Sequence, residues 1–145
     1  MQAHLPISRS EGVFTRDSGG LRWSMPAAVG VALANPGERL NALIGDGPSR
    51  HSIQALWTAA PLKLPITFVT LNNQRYAALQ DFAPVFGFAA TDAVQGTDQP
   101  GLDFVAIAQG QGCAARRATD PAQLHAALSW APGESGTTRV EVEAA

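Results

Sequence analysis

Two rhythms of apolar and polar residues divide the chain: short continuous apolar runs, and longer stretches with helical spacing. Residues 40–44 end on the apolar pair Leu43-Ile44, and residues 66–71 form an apolar run rich in β-branched residues. That pattern predicts parallel strands, with 66–71 central and covered on both faces. Residues 25–34 predict a helix of small residues with Pro26 in its first turn, ending at Asn35-Pro36-Gly37. Residues 52–60 predict a second, with Ile53, Leu56, Trp57 and Ala60 on one face and Pro61 closing it. Beyond the second strand, 76–82 predicts a short helix and 83–100 a loop rich in Gly, Pro and Asp. A helix over 103–108 capped by Gly110, a strand over 112–118, a helix over 121–128 introduced by Asp120 and a strand over 138–143 complete the pattern. Strands alternating with helices imply an α/β fold, a parallel sheet with right-handed crossovers and helices on both faces. Residues 1–17 show no period and are expected to form a loosely held arm, leaving 18–145 as one domain.

Composition narrows the function. The chain has 145 residues, one domain's worth, and 46% of them are hydrophobic, enough for a sizeable core. A net charge of −2 provides no basic field for nucleic acid or an anionic membrane. No stretch approaches the roughly 18 apolar residues of a membrane span, and residues 1–11 lack the apolar core of a signal peptide. The expectation is a cytoplasmic protein without nucleic-acid or membrane partners. The lone Cys113 excludes an intrachain disulfide and reads as a small buried apolar residue. Trp23, Trp57 and Trp130 read as packing residues, and His4 and His125 as surface residues. Glu11, Glu38, Glu134, Glu141 and Glu143 read as solvated surface carboxylates.

Candidate chemistry gathers where the two apolar runs end. Gly45-Asp46-Gly47 follows the first run and Asn72-Asn73 the second. Asp46 and Asn73 are one βα unit apart, which takes roughly 30 residues, so both tips are expected at the same edge of the sheet. Ligands of open α/β sheets bind at those carboxyl ends. A Mg²⁺ ion takes octahedral oxygen ligands and keeps substrate phosphates among them, so one carboxylate and a few neutral oxygens suffice. Asp46 supplies the charge; the Asn73 side chain and a backbone carbonyl near Arg75 supply neutral oxygens. The alternative is ordinary turn chemistry, since Asp-Gly and Asn-Asn are common turn formers.

The pair Gly45-Asp46-Gly47 and Asn72-Asn73 resembles the thiamin-diphosphate motif of the thiamin-dependent decarboxylase and acetolactate synthase superfamily. Residues 19–30, 52–60, 100–104 and 106–112 look most like its benzoylformate decarboxylase branch. The resemblance covers the C-terminal, diphosphate-binding domain. It implies a three-layer Rossmann-like parallel sheet with helices on both faces, lacking the family's first strand. It also implies thiamin diphosphate and Mg as cofactors, with contacts from Gly19, Gly20, Leu21, Gly45, Asp46, Gly47, Asn73 and Tyr76 and metal ligands from Asp46, Asn73 and Arg75. In that scheme the Gly19 carbonyl receives the aminopyrimidine and Leu21 wedges between the cofactor's rings. Leu79 and Phe82 match positions lining the substrate pocket, while equally fitting plain core. His51, though able to titrate near neutrality, is not expected to be catalytic, and no catalytic residue is assigned to this chain.

The family's cofactor-activating glutamate lies in a pyrimidine-binding domain, so activity is expected to need that domain from another chain, or self-association. The reaction implied is decarboxylation of a 2-oxo acid, with the cofactor carrying the carbanion chemistry. The alternatives are an acetolactate synthase-like carboligase domain and a non-catalytic truncated gene fragment. Pro48 departs from the family pattern, because a proline removes one backbone N–H from the loop expected to cradle the diphosphate.

Overall fold

Four parallel strands carry the fold. The computed structural model describes residues 8, 10, 12–15, 22–89, 92–99 and 101–144. Among these, the strands are β1 (Leu40–Gly45), β2 (Ile66–Asn72), β3 (Ala114–Ala118) and β4 (Thr138–Glu143). They are ordered β1-β2-β4-β3, every neighbour parallel. The two interior strands are the two most deeply buried: β2 exposes only Leu71, and β4 buries its first four residues. A parallel strand covered by helices on both faces has no solvent-facing side, which suits the β-branched run of β2, whereas β4 lies inside although it carries Arg139 and Glu141.

Alternate residues on each strand face opposite sides. On one side Ile44, Ile66 and Phe68 meet helices α1 (Ser24–Ala34), α3 (Ala55–Ala59) and α5 (Phe104–Gly110) through Met25, Val29, Leu56 and Ala108. Each large side chain buried there contributes about 1.5–3 kcal/mol. On the other side α6 (Pro121–Trp130) packs against β3 and β4. It begins at an N-cap, Asp120, whose carboxylate accepts a hydrogen bond from the Gln123 backbone N–H. Two further short helices, α2 (Asp46–Arg50) and α4 (Ala77–Phe82), start just beyond β1 and β2.

Several elements differ from the sequence pattern. The helix expected over 52–60 begins earlier, at Asp46, and splits into α2 and α3. Between them Ser52, Ala55, Leu56 and Trp57 donate to carbonyls three residues back, at Ser49, Ser52, Ile53 and Gln54. Each such step turns the chain by about 120° rather than 100°. The apolar face rotates accordingly: Ala55, Leu56 and Ala59 are buried, whereas Trp57 is 70% exposed. Trp23 is 45% exposed, and Trp130 is half-buried. Glu141, expected at the surface, is buried, because β4 is an interior strand. Asp103 is the N-cap of α5 rather than its first residue, and the chain reverses at Gly112, whose φ of +84° favours glycine, rather than at Gly110. The loop over 83–100 contains a 3₁₀ turn at Ala83–Phe86, and its end forms an antiparallel bridge from Asp98 to Arg75.

Candidate functional site

Register alone brings the two polar tips together. Gly45 pairs with Leu71, so Asp46 and Asn72 leave adjacent parallel strands at the same level. Asp46 opens α2 and is 4% exposed. Its Oδ2 has no hydrogen-bond partner within the protein. Leaving a buried carboxylate oxygen unpaired is costly, and a carboxylate so placed suits a cation.

The two asparagines divide the work. Asn72 is buried: its Nδ2 donates to Glu141 Oε1 at 2.7 Å, its Oδ1 accepts from the Gln74 N–H, and its carbonyl accepts from Ala144 N–H. Glu141 is in turn bound by Arg117, whose Nε donates to Oε2 at 3.0 Å. That hydrogen bond is the main reason the Arg117 guanidinium is pushed above its ordinary value. Asn72 thus anchors the end of β2 to β4. Asn73 is half-buried, and its Oδ1 accepts from the Arg75 N–H at 3.3 Å. Between them Gln74 holds φ at +58°, the left-handed bend that turns the chain back over the sheet edge.

Tyr76 then lies against the first tip. A Cβ on Gly47 would collide with the Tyr76 ring, so only glycine fits there. Tyr76 is held at ring and backbone: its hydroxyl is 3.2 Å from His51 Nε2, and its backbone N–H donates to the Thr97 carbonyl. His51 therefore orients Tyr76, a role not legible from the sequence. Leu79 and Phe82 follow on α4, both more than half exposed, with Phe82 edge-to-face against Phe86. Gly19, Gly20 and Leu21 lie outside the described residues.

Sequence reasoning missed two groups. Gln99 is 5% exposed beside Gly47, with neither amide atom hydrogen-bonded. Arg139 on β4 is 0% exposed; its Nη2 donates to Ser49 Oγ at 3.0 Å and its guanidinium stacks on Phe104. Burial pushes Arg139 down to about 10. No spacing signals either residue, because both sit in runs that read as loop or strand.

A family model, Thiamine pyrophosphate enzyme, C-terminal TPP binding domain, matches residues 1–142. The chain belongs to this family of thiamine pyrophosphate enzymes. Benzoylformate decarboxylase of Pseudomonas aeruginosa is 41% identical over 125 residues, 86% of this chain and 23% of that protein. A putative acetolactate synthase large subunit of Mycobacterium tuberculosis is 33% identical over 133 residues, 88% of this chain and 26% of that protein. Among solved structures, the thiamine diphosphate-dependent 4-hydroxybenzoylformate decarboxylase of Rhodococcus jostii RHA1 superposes with a TM-score of 0.79 at 38% identity, covering 86% of this chain and 23% of that one. This chain thus spans about a quarter of the length of such relatives.

Membership implies thiamin diphosphate with Mg as the cofactor, and the residues present fit it. One buried carboxylate oxygen lacks a partner at the strand ends, and Gly47 is a position a side chain would fill. Among the described residues no three His, Cys, Asp or Glu side chains gather as a metal cage. A Mg²⁺ that keeps substrate phosphates among its ligands needs only one carboxylate and a few neutral oxygens from the protein.

Proposed function

We infer that the chain binds Mg²⁺ and thiamin diphosphate as the C-terminal domain of a 2-oxo acid decarboxylase of the benzoylformate decarboxylase type. The observation that carries this reading is the unpartnered, buried Oδ2 of Asp46 at the end of β1, level with the asparagine pair ending β2. Asp46 ligates the metal, with the Asn73 side chain and the Arg75 backbone carbonyl as neutral ligands. Gly45 and Gly47 let the backbone approach the diphosphate, and Tyr76, steadied by His51, packs over that loop. Gly19, Gly20 and Leu21 take the aminopyrimidine side. Leu79 and Phe82 offer apolar surface to an aromatic 2-oxo acid.

When bound, the cofactor supplies the electron sink for loss of CO₂ from the 2-oxo acid. This chain's residues bind and orient it. Among the described residues Glu141, next to the asparagine pair, is committed to Asn72 and Arg117 and does not serve as the family's activating glutamate. Activity therefore needs a pyrimidine-binding domain from another chain, or association of copies, in the cytoplasm. A carboligase of the acetolactate synthase type is the second reading, supported by the relative at 33% identity. A non-catalytic product that binds the cofactor weakly is the third, supported by Pro48, which withholds one N–H from the first turn of α2.

Calorimetry of the purified chain with thiamin diphosphate and excess Mg²⁺ tests the binding. The expected result is saturable heat that Asp46→Ala abolishes while the circular dichroism spectrum is unchanged. No heat from a folded chain, or equal binding by the variant, overturns the reading.

A further inference from the structure

Gln99 has a chemistry that its place in the loop does not explain. A glutamine amide carries two donors and an acceptor, and burying it without partners is costly. Gln99 is 95% removed from solvent, yet Nε2 and Oε1 both lack a hydrogen bond. Its backbone is not free to relieve this. Gln99 N–H donates to the Gln74 carbonyl at 2.7 Å, and Thr97 accepts from the Tyr76 N–H at 2.7 Å. Gln80 on α4 fixes the same segment, its Nε2 donating to Thr97 Oγ1 and Asp98 Oδ1. The segment 97–99 is thus stitched to 74–76 and to α4, and it carries the amide to Gly47. Nε2 lies 3.3 Å from where a Gly47 Cβ would stand.

Two unsatisfied groups then meet one loop: the Asp46 carboxylate oxygen and the Gln99 amide, on either side of Gly47. An acceptor that wants a cation and a donor that wants an acceptor are complementary to a metal-bound anion. The next residue is Pro48, which has no N–H to offer. We propose that Gln99 is a ligand-binding residue of this site, its Nε2 donating to the cofactor's diphosphate and supplying a donor where Pro48 removes one. The proposal rests on the thiamin-diphosphate reading above.

The test compares wild type with Gln99→Leu and Gln99→Glu, using two probes in excess Mg²⁺: thiamin diphosphate and inorganic pyrophosphate. Leu keeps the volume and removes the donor; Glu keeps the shape and adds negative charge. A hydrogen bond to a charged group corresponds to roughly a ten- to hundredfold change in Kd. Gln99→Leu is expected to weaken both probes by such a factor, equally, and Gln99→Glu to weaken them further. The thermal midpoint of the ligand-free chain is expected to hold or rise in Gln99→Leu, because a buried unsatisfied amide is removed. Unchanged affinity in both variants, or loss for thiamin diphosphate with pyrophosphate unaffected, overturns the proposal while leaving the cofactor reading standing. Wild type that binds neither probe, although folded, overturns both.

Discussion

Arg139 is the residue whose environment departs most from its chemistry. Its guanidinium is fully buried between Ser49 and Phe104, and Nε and Nη1 have no partner. Its pKa is lower in the folded chain than in the unfolded one, chiefly through desolvation. The unfolded state therefore holds the proton more tightly, and the buried charge costs stability at every pH below about 10, the cost fading above that. Replacing Arg139 and its partner together, Arg139→Leu with Ser49→Ala, is expected to stabilise the fold by about 1–3 kcal/mol, at roughly 3 °C per kcal/mol in thermal midpoint. A thermal melt at neutral pH checks the sign, and a lower midpoint would mean that the guanidinium contributes more than it costs. Cys113 gives a second residue-scale expectation. Burial pushes its thiol up to about 11, and its Sγ contacts the Leu56 carbonyl. Native chain should resist a thiol reagent at pH 8 and react fully once unfolded; prompt reaction of the folded protein would contradict the buried placement.

At the scale of elements, caps and turns decide where helices stand. Asp120 accepts from both the backbone N–H and the side-chain Nε2 of Gln123, closing the first turn of α6. Asp120→Ala is expected to cost about 1 kcal/mol, read as a lower urea midpoint with an unchanged slope. The Asp120 cap and the limits of 138–143 were legible because each depends on neighbours in sequence. The helix expected over 52–60 differs at its start and its face for a physical reason. Its i to i+3 bonds respond to packing under α1 and against the sheet, and they turn Trp57 outward although its spacing from Ile53 and Ala60 is helical. The short helix after Asn73 was legible as a helix, but not that its Leu79 and Phe82 stay exposed.

At the scale of the molecule, apolar surface remains to be covered. Leu79, Phe82, Val85 and Phe86 form one exposed run next to the candidate site, Phe86 at 72%. Exposed apolar patches of this kind mark association surfaces. Sedimentation velocity is expected to show association that grows with concentration, and Val85→Ser with Phe86→Ser should reduce it; a monomer at all concentrations would show that the run is tolerated in water. Among the described residues no helix is long and apolar enough to cross a membrane.

What the sequence determined by itself was the alternation of strands and helices, the parallel sheet and the two polar tips at its edge. Those follow from periodicity and turn chemistry, which are local, and from the length of one βα unit. Family membership was legible only through the resemblance of Gly45-Asp46-Gly47 and Asn72-Asn73 to a known motif. Tertiary structure alone decided that Glu141 is buried and bound by Asn72 and Arg117, that His51 holds Tyr76, and that Arg139 and Gln99 are sealed from water. Each of these depends on which strand becomes interior, or on a loop returning across the sheet edge. Such proximity between distant residues arises from packing, and no local pattern of polar and apolar positions encodes it.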